Sequence, residues 1–185
     1  MMPEISLNIL DVAENSVRAK ATLIIIEVSI YSDKDILEVI IKDDGCGMTS
    51  EQVECVIDPF FTTRTTRKVG LGIPFFKLAA ESTGGNFEIT SEKGKGTSVK
   101  AIFKLSHIDR MPLGDINATI HMLVTFNESI DFYYRYTFNK NSFVLDTKEI
   151  REIVGAVSFR TLEISRFLKE YLDSNKDEVD GGKKI

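Results

Sequence analysis

Asp43-Asp44-Gly45-Cys46-Gly47-Met48 follows directly on a β-branched run at residues 36–41. A carboxylate at the end of an apolar strand can project into a pocket, and the glycines let the backbone turn sharply beside it. Alone, the stretch reads equally well as a strand followed by a tight turn. Working outward, residues 22–30 form another β-branched run, set off by the turn-like residues 31–35, so two neighbouring strands are expected. Ahead of them, residues 5–19 place Ile5, Ile9, Leu10, Val12, Ala13, Ser16 and Val17 at helical spacing. Asn8, Asp11 and Asn15 form a polar stripe on another face of that helix.

On the other side of the motif, Ser50 is the expected N-cap of a short helix, with Glu51 in its first turn and Asp58-Pro59 at its end. Residues 60–72 read as a loop. Val69-Gly70-Leu71-Gly72-Ile73 then runs into a helix over 73–83, with Pro74 near the first turn and Gly84-Gly85 past the end. Small residues before a helix allow close backbone approach, and the free N–H groups of its first turn can meet phosphate oxygens. Residues 87–91 and 97–105, joined by the Gly-rich 93–96, predict a hairpin.

Four motifs in one order carry a family resemblance. Leu10-Asp11-Val12-Ala13-Glu14-Asn15-Ser16, continued by Ala19-Lys20-Ala21-Thr22, is followed by Asp43 to Gly47. Then come Asp58-Pro59-Phe60-Phe61-Thr62-Thr63-Arg64 and Gly70-Leu71-Gly72, backed by Gly94-Lys95-Gly96-Thr97. This succession resembles the GHKL, or Bergerat-fold, ATPases, which include sensor histidine kinases, DNA gyrase and mismatch-repair proteins. The first motif is similar to the mismatch-repair version and the third to the histidine-kinase version. Roughly residues 5–105 are covered.

The resemblance implies an ATP site with Mg²⁺. Asn15 would hold the metal against the phosphates, as suits a hard cation that takes oxygen ligands. Asp43 would accept a hydrogen bond from the adenine amino group, assisted by Thr97, often through water. Gly45, Gly47 and Met48 would border the base. Phe61, Thr62, Thr63, Arg64, Lys68, Gly70, Leu71 and Gly72 would belong to a lid around the phosphates. Arg64, Arg67 and Lys68 read equally as phosphate counter-charges or as a solvated basic loop.

In hydrolysing members a Glu one helical turn before the metal-binding Asn activates water; here that position is Asp11. Its spacing puts it on one helix face with Asn15, but the side chain is shorter by a methylene, so slow hydrolysis or none is expected. Glu14 points elsewhere and is expected to pair with Arg18. His107-Ile108-Asp109-Arg110-Met111-Pro112-Leu113 shares the His, Arg, Pro and Leu spacing of the sensor-kinase phosphoacceptor motif. It lacks the acidic residue after His and follows the ATP-binding segment, so His107 is read as a phosphoacceptor or as a linker residue. His121, in an apolar stretch, reads as a core or interface histidine.

The 185 residues carry a net charge of −5, which argues against a general nucleic-acid or anionic-membrane surface. Apolar runs such as residues 23–26 are far short of a membrane span, no signal peptide is read at the start, and a cytoplasmic protein is expected. Cys46 and Cys55 lack metal-ligand spacing and are read as free thiols. The expected fold is an α/β (α+β) two-layer sandwich of the histidine-kinase-like ATPase type over residues 1–106, with helices on one face of a mixed sheet. A separate αββαα unit is expected over 107–172 and a disordered tail over 173–185.

Three functions fit these residues: a protein kinase acting in trans on a partner, a slow ATPase switch, and a nucleotide sensor without turnover. A protein partner or substrate is expected in the first two, and a homodimer is left open.

Overall fold

In the computed structural model, which describes residues 2–58 and 71–185, the runs flanking Asp43 form strands β1 (Leu23–Tyr31) and β2 (Ile36–Asp43). The polar-striped segment is helix α1 (Ile5–Arg18). Helix α2 (Ser50–Ile57) starts one residue earlier than expected in its capping: Thr49, not Ser50, is the N-cap. Its hydroxyl accepts from Gln52 N while Gln52 returns a bond to Thr49 N, satisfying two orphan donors at once. Helix α3 (Gly72–Glu81), strands β3 (Asn86–Glu92) and β4 (Gly96–Lys104), and helix α4 (Ile116–Phe126) follow. Strands β5 (Asp131–Phe138) and β6 (Asn141–Asp146) and helices α5 (Thr147–Val154) and α6 (Leu162–Asp180) complete the described chain.

The strands make one six-stranded sheet in the order β3-β4-β2-β1-β5-β6, antiparallel except for the β1–β5 pair. Strict alternation buries Ile24, Ile26, Val28 and Ile30 of β1, Leu37, Val39 and Ile41 of β2, and Phe132, Tyr134 and Tyr136 of β5. These side chains share one core with Ile5, Ile9 and Val12 of α1, Phe76 of α3, Ile120 of α4 and Leu168 of α6. The helices therefore lie on one face, the two-layer α/β arrangement expected. The other face carries ion pairs such as Lys100–Glu38 at 2.8 Å and Arg135–Glu27 at 3.4 Å. Among the described residues no helix is long and apolar enough to cross a membrane.

Two expectations about the C-terminal part are corrected. The α4-β5-β6-α5-α6 segment is not a separate unit, because β5 pairs in register with β1 from Leu23↔Asp131 to Ile30↔Phe138 and extends the same sheet. Its inward residues close the core that β1 alone would leave open. Nor is the charged stretch from Asp173 disordered: α6 runs to Asp180, with Leu172 and Val179 buried. Charge there is accommodated by pairing. Buried Asp180 accepts from Tyr136 Oη at 2.8 Å and from Lys176 Nζ at 2.7 Å, so its desolvation is compensated.

Candidate functional site

The register of β2 and β4 sets Asp43 opposite Thr97 at one end of the sheet. Both side chains point to the helix-covered face, in step with buried Ile41 and Val99. Asp43 is held at both oxygens: Ser16 Oγ on α1 donates to Oδ2 at 2.6 Å, and Gly45 N donates to Oδ1 at 2.9 Å. Both bonds leave acceptor capacity, since a carboxylate offers about four lone-pair sites. The neighbouring Asp44 does structural work. It accepts from Thr22 N at 2.7 Å, Thr22 Oγ1 at 2.5 Å and Leu23 N at 2.9 Å, tying the turn to the start of β1. Partial burial disfavours its ionisation, yet these hydrogen bonds prevail and hold its carboxyl below the ordinary carboxylate value.

The glycines are required by close approach. A Cβ at Gly45 would come within 2.8 Å of Ala19 Cβ, and at Gly47, with φ +60°, within 2.0 Å of the Glu92 carbonyl oxygen. The turn is clamped on two sides, with Cys46 N donating to Ala19 O at 2.9 Å and Gly94 N donating to Cys46 O at 2.8 Å. Met48 N is fixed by Ser91 Oγ at 2.8 Å.

A cavity of about 220 Å³ results, lined by Val12, Asn15, Ser16 and Ala19 of the first helix and its cap, and by Ile41, Asp43, Cys46, Gly47, Met48, Val56, Ile73, Thr97 and Val99. Apolar walls around a few fixed acceptors suit a flat heteroaromatic base. A larger depression, about 910 Å³, lies at the opposite end of β1 among Tyr31, Lys34, Asn139, Lys183 and their neighbours. It is open and shares no residue with the Asp43 cavity, so chemistry rather than size selects the site.

Asn15 lines the cavity, and its Oδ1 accepts from Arg18 Nη1 at 3.0 Å. Arg18 also lies 3.9 Å from Glu14, the pairing expected from the sequence. Asp11 does not line the cavity. It packs on the start of α3, where a Cβ at Gly72 would meet Asp11 Cβ at 2.9 Å and Oδ2 at 3.1 Å. Leu71 is the exposed N-cap residue of α3 and Gly72 its first, buried residue. Phe61, Thr62, Thr63, Arg64, Lys68 and Gly70 lie outside the described residues, as does Arg67.

His107 sits beyond the far end of β4. Thr97 and Lys104 are seven residues apart on that strand, roughly 23 Å at about 3.3 Å per residue. Its Nδ1 accepts from Asp109 N at 3.2 Å. His121 joins α4 to α6 through Ser165 O and Oγ, both 3.0 Å from Nε2. Cys46 is exposed, Cys55 half-buried, and neither is in a disulfide.

A family model described as histidine kinase-, DNA gyrase B- and HSP90-like ATPase matches residues 4–107, more than half of the chain. The chain belongs to this family. As a histidine-kinase-type ATPase domain it binds ATP, and the Asp43 cavity lies within the matched segment. A sensor protein of Shewanella frigidimarina is 33% identical over 107 residues, 57% of this chain and 16% of that protein. The sensor histidine kinase YxdK of Bacillus subtilis is 29% identical over 82 residues, 42% of this chain and 25% of the kinase. The ATPase domain thus spans a quarter or less of the length of these relatives. A solved N-terminal domain of a DNA repair protein shares the fold, with a TM-score of 0.55 at 14% identity, covering 86% of this chain and 59% of that one.

Sequence reasoning missed two hydroxyls. Ser16 follows Asn15 directly, and helical geometry from that motif alone points it at the sheet. Ser91 became visible only with the β3–β4 register, which sets it opposite Thr97.

Proposed function

We propose that this ATPase domain binds ATP with Mg²⁺ in the Asp43 cavity and acts in the cytoplasm as a protein kinase on a partner. The observation that carries the reading is the fixed Asp43 carboxylate, whose free lone pairs face an apolar, base-sized cavity on a histidine-kinase-type ATPase fold. Asn15 would hold the metal through Oδ1, on the rim of the same cavity. A single amide oxygen suits Mg²⁺, which takes few protein ligands and completes its shell with phosphate oxygens and water. When bound, Mg²⁺ neutralises phosphate charge. Asn15 Oδ1 keeps a second lone pair beside its Arg18 bond, and the guanidinium charge next to the metal is exposed, so moving it aside costs little. The roughly 23 Å of β4 between Thr97 and Lys104, which sets His107 far from the base end of the site, supports transfer to a partner rather than to His107 of the same molecule, since in-line transfer needs near contact.

Asp11 favours a second reading, a slow ATPase switch. Its carboxylate lies against the first turn of α3, next to the segment assigned to the phosphates. Incubation with γ-labelled ATP and Mg²⁺, alone and with candidate partner proteins, separates the two. Label transferred to a partner supports the kinase. Phosphate release that Asp11→Glu raises and Asp11→Asn abolishes supports the switch, and no binding of ATP at all rejects both.

A further inference from the structure

We propose that Ser91 is a positioning residue that fixes Thr97 as a hydrogen-bond acceptor and so selects a purine with an amino group, rather than an oxo group, at C6. This rests on the reading that the base of ATP enters the Asp43 cavity.

The argument is a proton count. Ser91 Oγ has one proton and two lone pairs. Met48 N, which can only donate, reaches it at 2.8 Å and fills one lone pair. Gly96 O, which can only accept, lies at 2.9 Å and takes the proton. The remaining contact, to Thr97 Oγ1 at 2.9 Å, must then run from Thr97 to Ser91. With every valence of Ser91 engaged, the Thr97 proton is committed away from the cavity.

Thr97 lines the cavity and offers its lone pairs there. Asp43, its partner across β2 and β4, also offers only acceptors, as a carboxylate that receives Ser16 and Gly45. The polar edge is thereby acceptor-only. Seated with its 6-amino group between Asp43 and Thr97, adenine presents one proton to each, whereas a 6-oxo group in that place sets lone pairs against both, and its neighbouring N1–H reaches at most one of the two acceptors. Rejection arises because a buried acceptor facing an acceptor loses its water without gaining a partner. Hydroxyls often adapt by rotating to donate; Ser91 removes that option for Thr97.

The test compares ATP with inosine triphosphate, which carries a 6-oxo group, by calorimetry with Mg²⁺. Wild type should prefer ATP by at least about tenfold, the effect of one unpaired buried group. In Ser91→Ala the preference should fall by about tenfold, since Thr97 regains a free proton to donate to the oxo group. Ser91→Thr, which keeps the hydroxyl, should restore it. Thr97→Val removes the acceptor itself while keeping Ser91, and it too should lower the preference by about tenfold, leaving the part owed to Asp43, which covers the case where Ser91→Ala does not fold.

An unchanged ATP-to-inosine preference in folded Ser91→Ala, or in Thr97→Val, overturns the inference even if overall affinity drops. Loss of the underlying reading looks different: wild type then fails to bind ATP, or binds it equally well after Asp43→Ala.

Discussion

Ser16 on α1 and Asp43 at the end of β2 are joined by a 2.6 Å hydrogen bond across 27 residues of sequence. Ser16 is buried, so its hydroxyl has little freedom to do anything else. The helix that presents Asn15 and the strand that presents Asp43 are thereby locked at the cavity, and the carboxylate is aimed before a ligand arrives. Pre-aimed acceptors save the ordering cost that binding otherwise carries.

Replacing the two partners should have graded effects. Asp43→Ala removes a charge-assisted hydrogen bond of about 1.5–3 kcal/mol and should weaken ATP binding about tenfold to hundredfold. Ser16→Ala leaves the carboxylate with its Gly45 bond and should weaken it less, about threefold to tenfold. Calorimetric titration with ATP measures both, and affinity untouched in Asp43→Ala would falsify the adenine assignment.

Arg18 holds a positive charge at the oxygen proposed to receive the metal. Because Arg18 Nη1 bonds Asn15 Oδ1 at an exposed contact, Arg18→Ala should strengthen the Mg²⁺ dependence of ATP binding, by less than about fivefold given the small worth of exposed charged contacts. Asn15→Ala should abolish that dependence while sparing ADP recognition. Mg²⁺ titrations at fixed ATP read the effect, and an Asn15→Ala protein that still responds to chelation of the metal rejects the role given to Asn15.

What the sequence disclosed and what it hid have physical causes. The β-branched runs of β1 and β2, the helical spacing in α1 and the order of motifs around Asp43 were legible because each is a local pattern. The parallel pairing of β5 with β1 was not, since nothing in residues 131–138 says which strand they join, and a hairpin with β6 is the nearest local option. The helical end of α6 was hidden by its charges, whose partner, Tyr136, is 44 residues from Asp180. At the site, Asp43 and Asn15 stood out through the motifs of the family resemblance, whereas Ser91 needed the β3–β4 register to matter.

Asp44 gives a pH dependence whose sign follows from its lowered value. Burial acts against its ionisation, but the bonds from Thr22 and Leu23 favour it, so the folded carboxyl titrates below the ordinary aspartate value. Its contribution is therefore present above that value and lost as pH falls through the lower, folded one. Asp44→Asn should be less stable than wild type at pH 7, and the gap should narrow as pH is lowered toward about 3. Urea midpoints at the two pH values check this; a gap that widens in acid contradicts the assigned hydrogen bonds.

Gly72 is where α3 meets α1, and the contact is steric. An added Cβ would lie 2.9 Å from Asp11 Cβ and 3.1 Å from its Oδ2, closer than packed atoms tolerate. Gly72 is buried, so the helices must separate or Asp11 must shift to accommodate Gly72→Ala. Helix propensity alone would favour that substitution by up to about 1 kcal/mol. Overpacking of about 1–3 kcal/mol should outweigh it and leave the variant destabilised. Asp11→Gly removes the opposing Cβ, so the double variant should lose clearly less than the sum of the two single losses. Denaturant unfolding of the four proteins measures the coupling. Strict additivity would mean that Gly72 and Asp11 do not touch, and it would remove the structural support for Asp11 acting beside the phosphate segment.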